Sequence, residues 1–395
     1  MTTRRLVLTR SAAIVGAAST GLLLPQIVRA QGNKIRVGLM LPYTGTYAQL
    51  GVAIENGVRM AILEKGGKLG GREIDWFKVD DESEPSKGVE NASRLVQRDK
   101  VDVLIGTVHS GVQMGIQKVV RDSGTLCIIP NAGVHAATRA LCAPNVFRTS
   151  FTNSQPTLAL GKPMFDKGIR KAVWITHKYA AGDDAFEGFR DSFTKAGGTI
   201  VKELGLPFPQ VEFQALLTEI ASLKPDAVAC FFAGAAAPKF IRDYAAAGLK
   251  DKIPLWGSGF LTEGVLEAAG PAAEGIMTTL HYSDSLDTPR NRQFRTAFAT
   301  QFKMQPDVYA VQGYDSGQLL VQGMAAVKGD LAGKQALYKA MESAVIDSPR
   351  GKWTMSKAHN PIQDIYLRRV EKGENKVIGI AAKALADSGA GCKMA

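Results

Sequence analysis

The segment Thr107-Val108-His109-Ser110-Gly111 offers the plainest chemistry in this sequence. It lies between an apolar run that reads as a strand and an amphipathic run that reads as a helix. A serine at a helix start presents a hydroxyl beside the unpaired N–H groups of the first turn, which together can hold a carboxylate or another anion. The competing reading is that Ser110 only caps its helix. His109 adds a donor to the same place or simply packs. A second turn, Pro130-Asn131-Ala132-Gly133-Val134, has the residue types of a tight turn and can offer backbone groups. No GxSxG, HExxH, P-loop or strand–turn–helix GxGxxG pattern occurs. The five histidines are dispersed, and no CxxC or His/Cys cluster suggests a metal site. The residues therefore point to binding rather than catalysis, with no cofactor and no metal.

The elements that position these turns alternate regularly. Strand-like runs over Ile35–Leu41, Glu73–Asp80, Val101–Ile105 and Thr125–Ile129 are interleaved with helical spacing over Ala48–Lys65, Pro85–Arg98 and His109–Asp122. A second series follows, with strands at Lys171–Thr176, Thr199–Leu204 and Asp226–Phe232 and helices at Ala185–Ala196, Glu212–Leu223 and Pro238–Ala247. Long helical patterns cover Asn291–Phe302 and Val308–Val327, and strands with turns follow Trp353, including Asp364–Val370. Such alternation predicts an α/β fold of two doubly wound parallel sheets covered by helices. Open parallel sheets bind ligands at the carboxyl ends of their strands. The candidate contacts therefore fall at 42–51, 106–111, 130–135, 177–183, 233–238 and 257–263.

Composition sets the compartment. The first 30 residues hold Arg4, Arg5, Arg10 and Arg29, no acidic residue, and an apolar stretch from Ser11 to Leu24. Val28-Arg29-Ala30 fits a signal-peptide cut after Ala30, and Thr3-Arg4-Arg5-Leu6-Val7-Leu8 resembles a twin-arginine export signal. The remaining chain carries 44 basic against 37 acidic residues, scattered without a patch, which argues against nucleic-acid binding. No later run reaches 18 apolar residues, so the exported chain is expected to be soluble. Four cysteines in an oxidising compartment allow three connectivities if all pair. Cys127 and Cys230 sit in apolar strand-like runs and read as buried. Cys142 and Cys392 sit in loop-like surroundings, and a bond between them is the expectation.

Ile35-Arg36-Val37-Gly38-Leu39-Met40-Leu41-Pro42-Tyr43-Thr44-Gly45 resembles the opening strand and turn of type I periplasmic binding proteins, in the leucine/isoleucine/valine-binding branch. The order of Gly51–Gly71, Val79-Asp80-Asp81-Glu82, Leu104-Ile105-Gly106, Ile129-Pro130-Asn131-Ala132, Phe147-Arg148-Thr149 and Tyr314-Asp315 is similar too. The resemblance implies two lobes, residues 31–149 plus 279–350 and residues 150–278 plus 351–395. They would be joined by three crossings, near Phe147–Thr152, Thr278–Ser283 and Arg350–Trp353. It also implies hinge closure on a small-molecule ligand, presented by a monomer to an ABC permease in the inner membrane.

Carried over position by position, the resemblance places Val108, His109 and Ser110 at the ligand carboxylate. Asn131, Ala132 and Gly133 fall at the next turn, where the family's threonine hydroxyl is lost. Tyr47 and Leu50 fall at the cleft mouth, and Tyr179 and Ala235 on the second lobe. Tyr309 starts a first-lobe helix that could reach the cleft. Amino-acid binders of this branch carry an acidic residue in the turn Gly257-Ser258-Gly259-Phe260, where this chain has Gly259 or Phe260. A buried ammonium without a carboxylate partner is costly. The expected ligand is therefore an organic acid of benzoate or cinnamate type, with Phe260 lining its body. An apolar amino acid is the alternative, with Glu263 completing the site. A short amide or urea comes third, and an exported sensor for a receptor kinase is a further alternative function.

Overall fold

The structure is a computed structural model that describes residues 34–395. The export segment expected over residues 1–30, with its cut after Ala30, lies outside the described residues. Among the described residues, no helix is long and apolar enough to cross a membrane.

The first sheet contains β1 (Ile35–Leu41), β2 (Ile74–Asp80), β3 (Val103–Ile105), β4 (Leu126–Ile129) and β5 (Val146–Arg148), in the order β2-β1-β3-β4-β5. Every neighbouring pair is parallel. β3, β4 and β5 are buried along their whole length because helices cover both faces, so their sequences are continuous apolar runs rather than alternating ones.

The second sheet begins with β6 (Lys171–Lys178), β7 (Thr199–Pro207), β8 (Ala227–Phe231), β9 (Leu255–Ser258) and β10 (Met277–Leu280). These five run parallel to one another. The sheet is then extended by β11 (Thr354–Met355), β12 (Pro361–Glu371) and β13 (Glu374–Leu385), which pair antiparallel. The strands with turns expected after Trp353 thus add an antiparallel edge to the expected parallel sheet. The reason is local: Lys372 (φ 53°) and Gly373 (φ 73°) form a two-residue turn with both central residues left-handed, which folds β12 directly back into β13.

Two features of the chain path bear on the site. The 308–326 helix returns to the first lobe and lies against the 48–63 helix. A Cβ on Gly57 would stand 2.1 Å from the Ala310 carbonyl oxygen, and one on Gly313 would stand 2.1 Å from that of Ile54. These glycines let the two backbones touch, which fixes where Tyr309 emerges. The 180–195 helix starts five residues before the expected Ala185, because Ala180-Ala181-Gly182 can pack directly onto the end of β6. A Cβ on Gly182 would meet the His177 carbonyl oxygen at 2.0 Å.

The passages between the sheets are tied together by Arg350. Its guanidinium donates to the Thr149 and Ser150 carbonyls at 2.6 and 3.1 Å and pairs with Asp315 at 3.0 Å. Asp315 also accepts from Trp353 and Ser348. The second sheet keeps the chain as far as Leu280, a residue or two beyond the expected switch at 279. The last ten residues depart from the expected assignment of 351–395 to the second lobe. They lie against the first lobe, where Arg139 grips Asp387 with two hydrogen bonds and Cys142 is joined to Cys392.

That bond closes a loop of 250 residues. Replacing Cys142 with Ser is expected to remove about 2–5 kcal/mol of unfolding free energy. Denaturant midpoints of variant and wild type, with and without reductant, measure it. Reductant should lower only the wild-type value.

Candidate functional site

A small cavity of about 20 Å³ lies between the two lobes, at the carboxyl ends of both sheets. From the first lobe come Tyr47, Leu50, Val108, Ser110, Asn131, Gly133 and Tyr309. From the crossing after β5 come Phe151 and Asn153, and from the second lobe Tyr179, Ala181, Phe231, Ala233 and Phe260. That is room for little more than one water-sized sphere, so the lobes stand tightly closed on the site.

Nine of the twelve residues singled out from sequence line this cavity: Tyr47, Leu50, Val108, Ser110, Asn131, Gly133, Tyr179, Phe260 and Tyr309. Three do not. His109 caps the 110–123 helix, its Nδ1 accepting from the Val112 N–H at 3.4 Å, and its ring is turned onto Tyr179 and Phe208. Ala132 is buried behind the turn, with its carbonyl taken by Arg148 at 3.0 Å. Ala235 is exposed at the rim, where its N–H donates to the Thr46 carbonyl across the cleft at 3.2 Å; Ala233 takes the wall position instead. Ala181 and Ala233 fall within the candidate turns 177–183 and 233–238, whereas Phe151, Asn153 and Phe231 were missed. Phe231 is the last residue of β8 and looks like core in sequence. Phe151 and Asn153 belong to the crossing, whose side chains no strand or helix period assigns to a face.

The polar groups of the wall divide into those already paired and those free to act. The Tyr47 and Tyr179 hydroxyls lie 3.0 Å apart and close the wall between the lobes. Asn131 donates to Gln312 at 2.7 Å, and Gln312 is held by His281 at 3.2 Å. Ser110 Oγ accepts from Asn153 at 3.3 Å, which leaves its proton for an acceptor in the cavity. The Tyr309 hydroxyl is buried and has no protein partner. A buried hydroxyl left unpaired is costly, so this one calls for a ligand atom. Burial raises Tyr47 to about 12 and holds Tyr179 and Tyr309 well above the ordinary phenol value, so all three are neutral donors at physiological pH.

Among the described residues, the wall carries no charged side chain. Glu263, the alternative partner for an ammonium, is turned away. It is ion-paired with the buried Arg368 and accepts from the Val308 N–H at 3.2 Å. Phe151, Phe260 and Phe231 build an aromatic box, with ring centroids 4.6 Å apart for Phe151–Phe260 and 6.2 Å for the edge-on Phe231–Phe260 pair. Phe260 stacks on Tyr309 at 6.0 Å. Beside the cavity, His135 of the first lobe reaches Asp184 of the second, its Nδ1 3.2 Å from one carboxylate oxygen and its backbone N–H 2.9 Å from the other. Glu187 completes a group that could converge on a cation. Here, however, each member is taken by the protein, His135 by Asp184 and Ser154, and Glu187 by Arg139.

Residues 34–375 match the family described as periplasmic binding protein. The chain belongs to that family. A solute-binding protein of an ABC transporter from R. palustris, solved in complex with benzoate, is 53% identical with a TM-score of 0.89, over 91% of this chain and 100% of that one. Another, from Rhodopseudomonas palustris BisB5 in complex with 3,4-dihydroxybenzoic acid, is 30% identical with a TM-score of 0.85, over 90% and 99%. A Leu/Ile/Val-binding protein homolog from Brucella melitensis is 29% identical over 88% of this chain and 90% of its own. As a periplasmic binding protein the chain is not an enzyme. The cavity is accordingly a place of capture, and its two-lobed wall is what such a protein needs.

Gly234 marks how closely this periplasmic binding protein draws its lobes together. It has φ 59°, and a Cβ there would lie 2.4 Å from the Thr46 carbonyl oxygen and 2.7 Å from the Tyr47 ring. Gly234→Ala is expected to prop the cleft open. Small-angle scattering should then give a larger radius of gyration than wild type under conditions where wild type is closed.

Proposed function

We propose that this chain is the solute-binding component of an ABC importer and captures a monocyclic aromatic carboxylate of benzoate type. It acts in the periplasm as a single chain, after export and cleavage following Ala30. The observation that carries the ligand class is the uncharged aromatic wall with one unpaired buried hydroxyl. An α-ammonium would be buried there without an anionic partner, because Glu263 is spent on Arg368 and the Val308 N–H. A carboxylate finds neutral donors instead: Ser110, the start of the 110–123 helix, and Tyr309. Phe151, Phe231 and Phe260 offer the aromatic faces against which its ring would pack once the cleft has adjusted around it. The benzoate and dihydroxybenzoate complexes of the two R. palustris relatives support the same class.

Capture works through closure. The ligand touches both lobes at once, so it binds the closed form more tightly than the open one and shifts the population toward closure. The segments near 147–152, 278–283 and 350–353 serve as hinges, the first and third tied together by Arg350. Closure hides the ligand from water and offers the joined outer faces of the lobes to a permease.

Calorimetric titration of refolded, ligand-stripped protein with benzoate, hydroxybenzoates, leucine and phenylalanine tests this. Tight binding is expected for the aromatic acids alone. Ser110→Ala and Tyr309→Phe should each weaken it by about tenfold or more, the loss of one hydrogen bond to a charged group. Tight leucine binding would overturn the ligand class.

The affinity also has a pH sign. Burial, with His177 beside it, lowers His109 to about 4. Burial, with Arg139 and Arg148 beside it and Asp387 opposing them, lowers His135 to about 3. Both rings lie between the lobes, His109 facing Tyr47, Tyr179 and His177, and His135 facing Asp184 and Glu187. Opening returns them toward the ordinary value near 6.5, so the open form takes up protons first. Affinity is therefore flat above neutrality and falls as pH drops from about 6.5 toward 4. Titrations at pH 7.5, 6 and 5 check this, with a shallower fall expected in His109→Asn.

A further inference from the structure

The loop after β7 carries Phe208, whose ring is not part of the cavity wall. It lies over the outside of the Tyr47–Tyr179 hydroxyl pair. On its own lobe it stacks on Tyr179 at 5.2 Å and meets His177 edge-on at 5.4 Å. Across the cleft it lies 4.7 Å from the His109 ring and 5.5 Å from that of Tyr47. His109 in turn stacks on Tyr179 at 5.0 Å, so rings from the two lobes alternate over the mouth.

The arm that holds Phe208 is itself held. The Gln210 N–H donates to the Pro207 carbonyl at 2.9 Å, and the Gln210 carbonyl sits 2.7 Å from His177 Nε2. Phe208 therefore moves with the second lobe. Its contacts with His109 and Tyr47 exist only while the lobes are together. His109 is fixed on the first lobe by its bond to the Val112 N–H.

We propose that Phe208 is the retention residue of this site: it seals the closed cleft against His109 and Tyr47 and sets the rate at which the bound acid leaves, without touching that acid. This rests on the closure described above. The cross-lobe ring contacts form after the ligand has entered, so their loss acts on dissociation rather than on encounter. Two such ring pairs are together worth about tenfold in an equilibrium constant.

A stopped-flow chase of bound benzoate tests it. Phe208→Ala is expected to raise the dissociation rate about tenfold, leave the association rate within about threefold, and raise Kd by the dissociation factor. Phe208→Leu, which keeps bulk but cannot stack, should fall between. In a His109→Ala background the Phe208→Ala effect should shrink, because one cross-lobe partner is already gone. A general structural defect would not depend on His109. An unchanged dissociation rate, a loss confined to association, or an equal effect in both backgrounds overturns the proposal. If wild type ignores benzoate and binds leucine, the ligand class falls, and the same comparison run with leucine still decides Phe208.

Discussion

Arg148 stands wholly buried at the end of β5, and four neutral acceptors share its guanidinium: the carbonyls of Ala132 and Val134, Thr138 Oγ1 and Asn360 Oδ1. Burial lowers it to about 10, which leaves it charged at neutral pH. Much of the site depends on this one cation. By taking the carbonyls on either side of Gly133, it sets the shape of the turn that lines the cavity. By reaching Asn360, it ties that turn to the passage leading into the second sheet. Its positive charge also sits directly behind a wall that carries none of its own. An interior of low effective dielectric transmits such a charge over several ångströms.

The closed state is held by many small contacts rather than by one strong one. Tyr47 with Tyr179, His135 with Asp184, Ala235 with Thr46, and His109 between Tyr179 and Phe208 all cross the cleft. Each replaces a contact with water that the open form makes, so each has a modest net value. That balance suits a protein that must release its cargo. A strongly bonded closed form would shut without ligand, and a ligand could then shift nothing.

The sequence made the frame legible wherever burial imposed a period. The first four strands of the first sheet fall within a residue or two of their expected bounds, while β5 was read only as part of a crossing; β3 and β4 are continuous apolar runs because they are covered on both faces. The turns at the strand ends were legible for the same reason, since a strand that must end before a helix can begin leaves a short, locatable segment. What stayed hidden lay outside such periods. Phe151 and Asn153 sit in a crossing, and Phe208 sits in a loop after a proline at the end of β7. His109 shows the opposite problem. Its position was placed correctly, but a capping bond through Nδ1 turned the ring out of the cavity, and no spacing encodes that rotation. Ala235 missed the wall by two residues: as the cap of the 236–246 helix it sits exposed at the rim, its N–H on the Thr46 carbonyl, and Ala233 takes the wall position.

Glu263 shows how one frame can serve different ligands with little change in its backbone. It lies just past the end of β9, within reach of an ammonium if its neighbours released it. Here Arg368 rises from β12 and pairs with it, while the same guanidinium donates to the carbonyls of Gly259 and Tyr282. Gly259 is required for that approach, since a Cβ there would lie 2.5 Å from the Arg368 guanidinium. Burial holds the Glu263 carboxyl above its ordinary value even with this partner. Removing Arg368 would therefore leave a buried acid that either protonates or turns toward the cavity. On the proposed reading, the chemistry that disfavours an amino acid lies one layer behind the wall. Selectivity here depends less on what touches the ligand than on which potential partner the second sheet has already claimed.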